Sequence, residues 1–103
     1  MKYTINSLKS DLINCIELCK KEIDNRKKGI KGESTIEQLE CVVLPELNSL
    51  LQKINDGKLP IKENRYLNSF ANAFRVWGWD MENPTELFIK LTELNNNYGK
   101  LDE

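Results

Sequence analysis

The sequence predicts an all-α fold, a small antiparallel four-helix bundle whose second helix is kinked or split near Pro45. Two observations lead there. Apolar residues recur at steps of three and four in four separate stretches, and no period-two run is long enough to build a sheet. Capping residues, glycine and proline punctuate those stretches, leaving short connections of the kind found between bundle helices. The 103 residues are 40% hydrophobic and 30% charged, which suits a single helical domain over 1–103 with one core and is too apolar for a disordered tail. No internal repeat or low-complexity tract interrupts it.

The first helix is expected from about Thr4 to about Arg26, with Ile5, Leu8, Leu12, Ile16, Cys19 and Ile23 as its core stripe. Its end is crowded with Lys20, Lys21, Arg26, Lys27 and Lys28, where the helix dipole favours cations, and Gly29 and Gly32 let the backbone leave. A capping box, Ser34 with Glu37 or Thr35 with Gln38, opens the second helix ahead of the stripe Ile36, Leu39, Val43, Leu47, Leu50 and Ile54. Pro45 lies inside that stripe, lacks a backbone donor and crowds the carbonyl four residues back, hence the kink expected between Cys41 and Leu44, or else two shorter helices. Asn55-Asp56-Gly57 and Pro60 stop the pattern. The third helix is expected from Lys62 to Trp77, burying Leu67, Phe70, Ala71, Phe74 and Trp77 and ending at Gly78. The fourth follows an N-cap at Asn83 and a first-turn Pro84, with Leu87, Leu91, Leu94 and Tyr98 inward.

Composition excludes much chemistry. Histidine is absent, which removes the commonest general base and metal ligand. Cys15, Cys19 and Cys41 make neither a C-x-x-C site nor an even disulfide set and read as small core or near-core residues of a cytoplasmic protein. Gly29-Ile30-Lys31-Gly32 is not a phosphate-binding loop, because it follows a helix and not a strand. Carboxylate pairs such as Glu37 with Glu40 and Glu82 with Glu86 have the spacing of ordinary solvated helix faces. The expectation is therefore a protein that is not an enzyme and uses no metal or cofactor. No stretch has the apolar length of a signal peptide or of a membrane span.

Fifteen basic and sixteen acidic side chains nearly cancel, so any electrostatic attraction to a partner must be local. No lysine or arginine occurs between Ser34 and Gln52, while Glu33, Glu37 and Glu40, with the later Glu46, put acids on the second helix. Glu33 and Glu37 also suit a helix N-terminus, the plainer account of that face. A second acid-only window, Val76 to Ile89, holds Asp80, Glu82 and Glu86 beside Trp77 and Trp79. Two tryptophans two residues apart across a helix-ending glycine cannot both follow the inward stripe, so Trp79 is expected partly outward as an interface anchor; the alternative is that it folds back to close the bundle. The candidate partner-binding residues are Glu33, Glu37, Glu40, Tyr66, Trp79, Asp80 and Glu82.

The acidic Glu33-Glu37-Glu40 face, the stretch Arg65-Tyr66-Leu67-Asn68-Ser69-Phe70 through Trp77-Gly78-Trp79-Asp80, and Asn83-Pro84-Thr85-Glu86-Leu87 together resemble the small helical immunity proteins that bacteria make against their own toxins. The chain lacks the Asp-Tyr-Tyr-Pro segment and the strongly acidic total of the helical colicin DNase immunity family, so no residue role is carried over from it. The resemblance implies a cytoplasmic, non-catalytic partner of a basic protein toxin such as a nuclease, with acids steering association and Trp79 and Tyr66 supplying desolvated contact. The rival is a helical adaptor or regulatory subunit, homodimeric through off-stripe residues Val42, Leu44, Leu51, Phe88 and Ile89. A third reading, nucleic-acid binding through Arg26, Lys27, Lys28 and Lys31, is disfavoured by the absence of interleaved aromatics and by the acidic helix that follows.

Overall fold

The computed structural model describes residues 3–32 and 34–101, so the predicted site residue Glu33 lies outside the described residues. All regular structure among them is helical, with no strand. Helix α1 (Ile5–Lys27) starts where the Thr4 hydroxyl accepts the Ser7 amide at 3.1 Å and buries Leu8, Leu12, Cys15, Ile16, Cys19 and Ile23, the expected stripe. Its exit turn is held by Arg26. The guanidinium donates to the carbonyls of Ser34 at 2.7 Å and Ile30 at 3.1 Å, to the Ser34 hydroxyl, and to Glu22 at 2.7 Å. A side chain at Gly32 would meet that guanidinium, so a larger residue there would have to displace Arg26 from this set of bonds.

Of the two capping boxes expected, Thr35 with Gln38 forms. It opens the single turn α2 (Ile36–Gln38), which passes through a π turn (Leu39–Val43) into α3 (Leu44–Asn55), giving one uninterrupted helical run over 36–55. The helix is not split. Pro45 cannot donate to the Cys41 carbonyl, and the backbone widens just before it, with the Leu44 amide reaching five residues back to Leu39. Leu39, Val43, Leu47 and Leu50 all face the core, but Cys41 is exposed, against the expectation for it.

The third helix is much shorter than its apolar pattern suggests. Lys62–Asn64 is a single 3-10 turn, and α4 spans only Asn68–Arg75. Between them Arg65 leaves helical geometry and donates to the carbonyls of Pro60 and Leu101 at 2.9 and 2.7 Å, while the Leu67 amide donates to Asn95 Oδ1 at 2.8 Å. The inward residues are accordingly Leu67, Ser69 and Ala73; Phe70, Ala71 and Trp77 are half-buried and Phe74 is 44% exposed, contrary to the stripe read from the sequence. Gly78, at φ +66°, reverses the chain, and the Trp79 amide donates back to the Ala73 carbonyl at 3.0 Å. This turn sends Trp79 into the core, 3% exposed, so it does not project outward as expected.

Helix α5 (Glu86–Lys100) is capped by Thr85, whose hydroxyl accepts the Phe88 amide at 3.1 Å; Asn83 is not the cap. Its inward residues Leu87, Leu91, Leu94 and Tyr98 are as expected, and Phe88 joins them. Helix α1 packs against α3 on one side and α5 on the other, and α4 lies on α5. Helix α4 has no side-chain cap of its own, because Leu67 occupies that position. Glu46 of α3 supplies one. Its Oε2 accepts the Asn68 amide at 2.7 Å, and its Oε1 accepts the Ser69 amide at 2.7 Å and the buried Ser69 hydroxyl at 2.6 Å.

Two consequences are measurable. Glu46→Ala strands two amides and a buried hydroxyl and should lower the unfolding free energy by about 2 kcal/mol, seen as a lower urea midpoint at unchanged slope. The second concerns alkaline pH. Burial pushes the Cys15 and Cys19 thiols from the ordinary 9.0 up to about 12, and burial with the Asp11 hydrogen bond raises the Tyr3 phenol. These groups hold their protons longer in the folded chain, so their contribution is complete below pH 9 and is lost as pH rises from about 9 toward 12. The thermal midpoint followed by circular dichroism should fall across that window, less steeply in the Cys15→Ala, Cys19→Ala double variant.

Candidate partner-binding surface

The structure scatters the predicted acidic face. Glu37 is exposed on the first turn of α2, whereas Glu40 is met by Lys27 of α1, its Oε1 3.1 Å from the ammonium, so the face carries a cation after all. Both partners of that pair are solvated, which makes it worth little to stability. Glu46 turns away from solvent to cap α4. In the second window Asp80 Oδ1 accepts the amides of Glu82 and Asn83 at 2.9 and 3.2 Å, shaping the loop before α5, and leaves Glu82 exposed.

Trp79 is a structural residue. Its indole Nε1 donates to Gln38 Oε1 at 3.3 Å, the same oxygen that accepts the Thr35 amide in the capping box, so it bolts the loop to the start of α2. Its ring meets Phe88 edge-on at 5.6 Å and lies 5.5 Å from Trp77. Phe88 in turn contacts Phe70 at 6.2 Å, and Phe70 contacts Phe74 at 6.0 Å. Five rings thus form one continuous row from half-buried Trp77 to exposed Phe74.

The phenylalanine end of that row, Phe88, Phe70 and Phe74, lines a surface which the sequence pattern did not reveal. Phe70 and Phe74 of α4 face Phe88 and Ile89 of α5 across an open cleft of about 260 Å³, closed at one end by Met81 and Pro84. Phe74 is 44%, Ile89 42% and Met81 59% exposed, a concentration of large apolar side chains in solvent that single scattered residues do not produce. A second hollow of about 520 Å³, also lined by Phe70 and Phe74, extends to Tyr66, which is 58% exposed, and to Arg75. Of the predicted contact residues, then, Tyr66 lies at one end of this surface, Asp80 and Glu82 bracket Met81 in sequence at the other, and Glu37 and Glu40 lie on the helical run 36–55. The available signal was Ile89, apolar and off the inward stripe of α5, together with Phe74 one turn beyond Phe70.

The cleft holds little that could do chemistry. Its only ionisable wall residue is Glu93, 3.5 Å from the Lys90 ammonium, and the Thr92 hydroxyl donates to the Phe88 carbonyl at 2.8 Å. Among the described residues no group of three or more acidic or cysteine side chains could hold a metal ion, and no helix is long and apolar enough to cross a membrane. Comparison with protein-family models, curated proteins and solved structures finds no match.

The two aromatic side chains expected to touch a partner should separate on substitution. Trp79→Ala removes a buried ring, its hydrogen bond and two ring contacts, and should cost about 3 kcal/mol or more of stability. Tyr66→Ala should stay within about 0.5 kcal/mol of the parent. Chemical denaturation of both variants measures the difference.

Proposed function

We propose that this chain is a non-catalytic binding protein that neutralises a cognate bacterial toxin by direct complex formation in the cytoplasm, its partner carrying a basic surface of the kind a nuclease needs. The observation that carries the reading is the apolar cleft between α4 and α5, exposed along Phe74, Met81 and Ile89 and bordered by the stretch from Val76 to Ile89, which has no lysine or arginine. Aromatic and methionine side chains supply the desolvated centre of a contact, and Glu93 on the cleft wall and exposed Glu82, next to Met81 in sequence, supply carboxylates that attract a cationic partner before contact. An inhibitor of this type needs no chemistry of its own; it has only to occupy or overhang the toxin's working surface.

We read the four helical bodies as a small antiparallel bundle. Leu67 meets Asn95 and Phe70 meets Phe88, so α4 and α5 run in opposite senses, and Asn14 to Lys21 of α1 line one hollow with Glu86 and Lys90 of α5. A rigid scaffold of this kind presents the cleft without prior rearrangement. The net charge of −1 sets up no long-range self-repulsion, and this favours the adaptor alternative, a homodimer closed over the same cleft.

The test is recovery of a partner on the tagged chain, followed by expression of that partner alone and together with this chain. The expected result is a basic protein that is lethal alone and harmless in company, with rescue lost in Phe74→Asp and Ile89→Asp. Glu82→Lys with Glu93→Lys should slow association and flatten its salt dependence. A partner that is not toxic, or rescue indifferent to both cleft variants, overturns the reading.

A further inference from the structure

We infer that a polar hollow where α3, the segment before α4 and the end of α5 meet binds a small hydroxylated carboxylate of the sugar-acid type. The hollow encloses about 390 Å³ and shares no residue with the apolar cleft, so a ligand here is independent of a toxin there. Glu46, Ser49, Leu50 and Lys53 line it at i, i+3, i+4 and i+7 of α3, one face of one helix. Asn64, Asn68 and Tyr98 come to it from the 3-10 turn, the start of α4 and α5. Arg65, between the first two, donates to the Pro60 and Leu101 carbonyls, so this wall is tied down by the fold itself.

The sign of a ligand is the Tyr98 hydroxyl. Tyr98 is 3% exposed, yet its oxygen has no hydrogen-bond partner among the described residues, a rare state for an enclosed phenol. No fully buried side-chain oxygen among them goes unpartnered, so this hydroxyl keeps the last contact of Tyr98 with solvent, and the hollow that Tyr98 lines is its outlet. Burial holds its proton above the ordinary phenol range, with Arg65 opposing and Glu46 of the same wall assisting. The floor of the hollow therefore offers an O–H donor at neutral pH.

Charge and donor type select the ligand. Both Glu46 oxygens are taken by the Asn68 and Ser69 amides and the Ser69 hydroxyl, whereas Lys53 is exposed with no ion pair among the described residues. Lys53 lies seven residues on from Glu46, roughly 10 Å along α3, so the unengaged charge of the hollow is a cation set away from the engaged acid. It suits a carboxylate. The side chains of Ser49, Asn64 and Asn68 make no hydrogen bond among the described residues, and each can both donate and accept, which matches ligand hydroxyls. A bare anion leaves those groups unused, and a neutral sugar leaves Lys53 unused. The exposed Tyr66 ring, also on the wall, gives the C–H face of a sugar ring an apolar shelf.

D-Glucuronate is the probe, with D-glucose and acetate as separate tests of its hydroxyls and its carboxylate. Amide chemical shifts of the isotope-labelled full chain follow each titration. Glucuronate should saturate and move the amides of Ser49, Lys53, Asn64 and Asn68, while glucose and acetate should each bind at least about tenfold more weakly. Lys53→Gln and Tyr98→Phe should each weaken glucuronate roughly fivefold or more. Tyr98→Phe removes a hydroxyl bonded to no described residue and should leave the thermal midpoint unchanged, which separates lost binding from lost folding. No saturable shift with glucuronate, shifts confined to other parts of the chain, or binding indifferent to both variants overturns the inference. Glucose binding as tightly as glucuronate overturns the carboxylate, and acetate binding as tightly overturns the sugar acid in favour of a simple anion. Phe74→Asp should leave glucuronate binding unchanged, so the fate of toxin rescue is read separately.

Discussion

One carboxylate ties the α4 side of this molecule to α3. Helix α4 has eight residues and no side-chain cap of its own, and a helix that short does not persist in water by itself. Glu46 reaches from α3 to its first turn, accepts the Asn68 and Ser69 amides and the Ser69 hydroxyl, and sets a negative charge at the positive end of the helix dipole. Ser69 and Ala73 are thereby turned inward, and Phe70 and Phe74 fall where α5 can meet them. That attachment joins the Leu67–Asn95 hydrogen bond and the Phe70–Phe88 contact in fixing the aromatic wall of the cleft.

The placement of Glu46 goes back to the residue before it. Pro45 brings a missing donor into the middle of a helical run, and the chain responds with the π turn Leu39–Val43. Leu39, Val43 and Leu47 are all fully buried at steps of four, whereas in an unbroken α-helix each such step advances about 40° around the axis and would carry the stripe away from α1. The wider turn takes up that advance. Leu47 consequently faces the core, and Glu46, about 100° away around the same helix, faces α4.

Elements whose structure is decided locally were legible in the sequence. The inward stripes of α1 and α5 and the Thr35–Gln38 capping box follow from periodicity and cap chemistry. Residues 62–77 were not, because apolar spacing says nothing of Arg65 being drawn to the Pro60 and Leu101 carbonyls, or of the reversal at Gly78 that carries Trp79 back to Ala73. Glu46 looked like one more acid of a solvated face; its task depends on an amide pair more than twenty residues away. A sign existed in the absence of a capping side chain at Leu67, which leaves a helix start to be satisfied from elsewhere. Tyr66 was legible as exposed, but the cleft it adjoins comes from two helices meeting, which no single stretch encodes.

The row of five rings has a consequence for how an association here divides its thermodynamic cost. Phe88 is almost wholly enclosed with Trp79 packed edge-on behind it, and Phe70 is wedged between Phe74 and Phe88, so the floor side chains Phe70 and Phe88 already occupy one arrangement in the unbound chain. Each aromatic side chain has only two rotatable bonds, and most of that freedom was surrendered when the domain folded. The entropy lost on docking therefore falls mainly on the incoming chain and on the outer residues Met81 and Ile89.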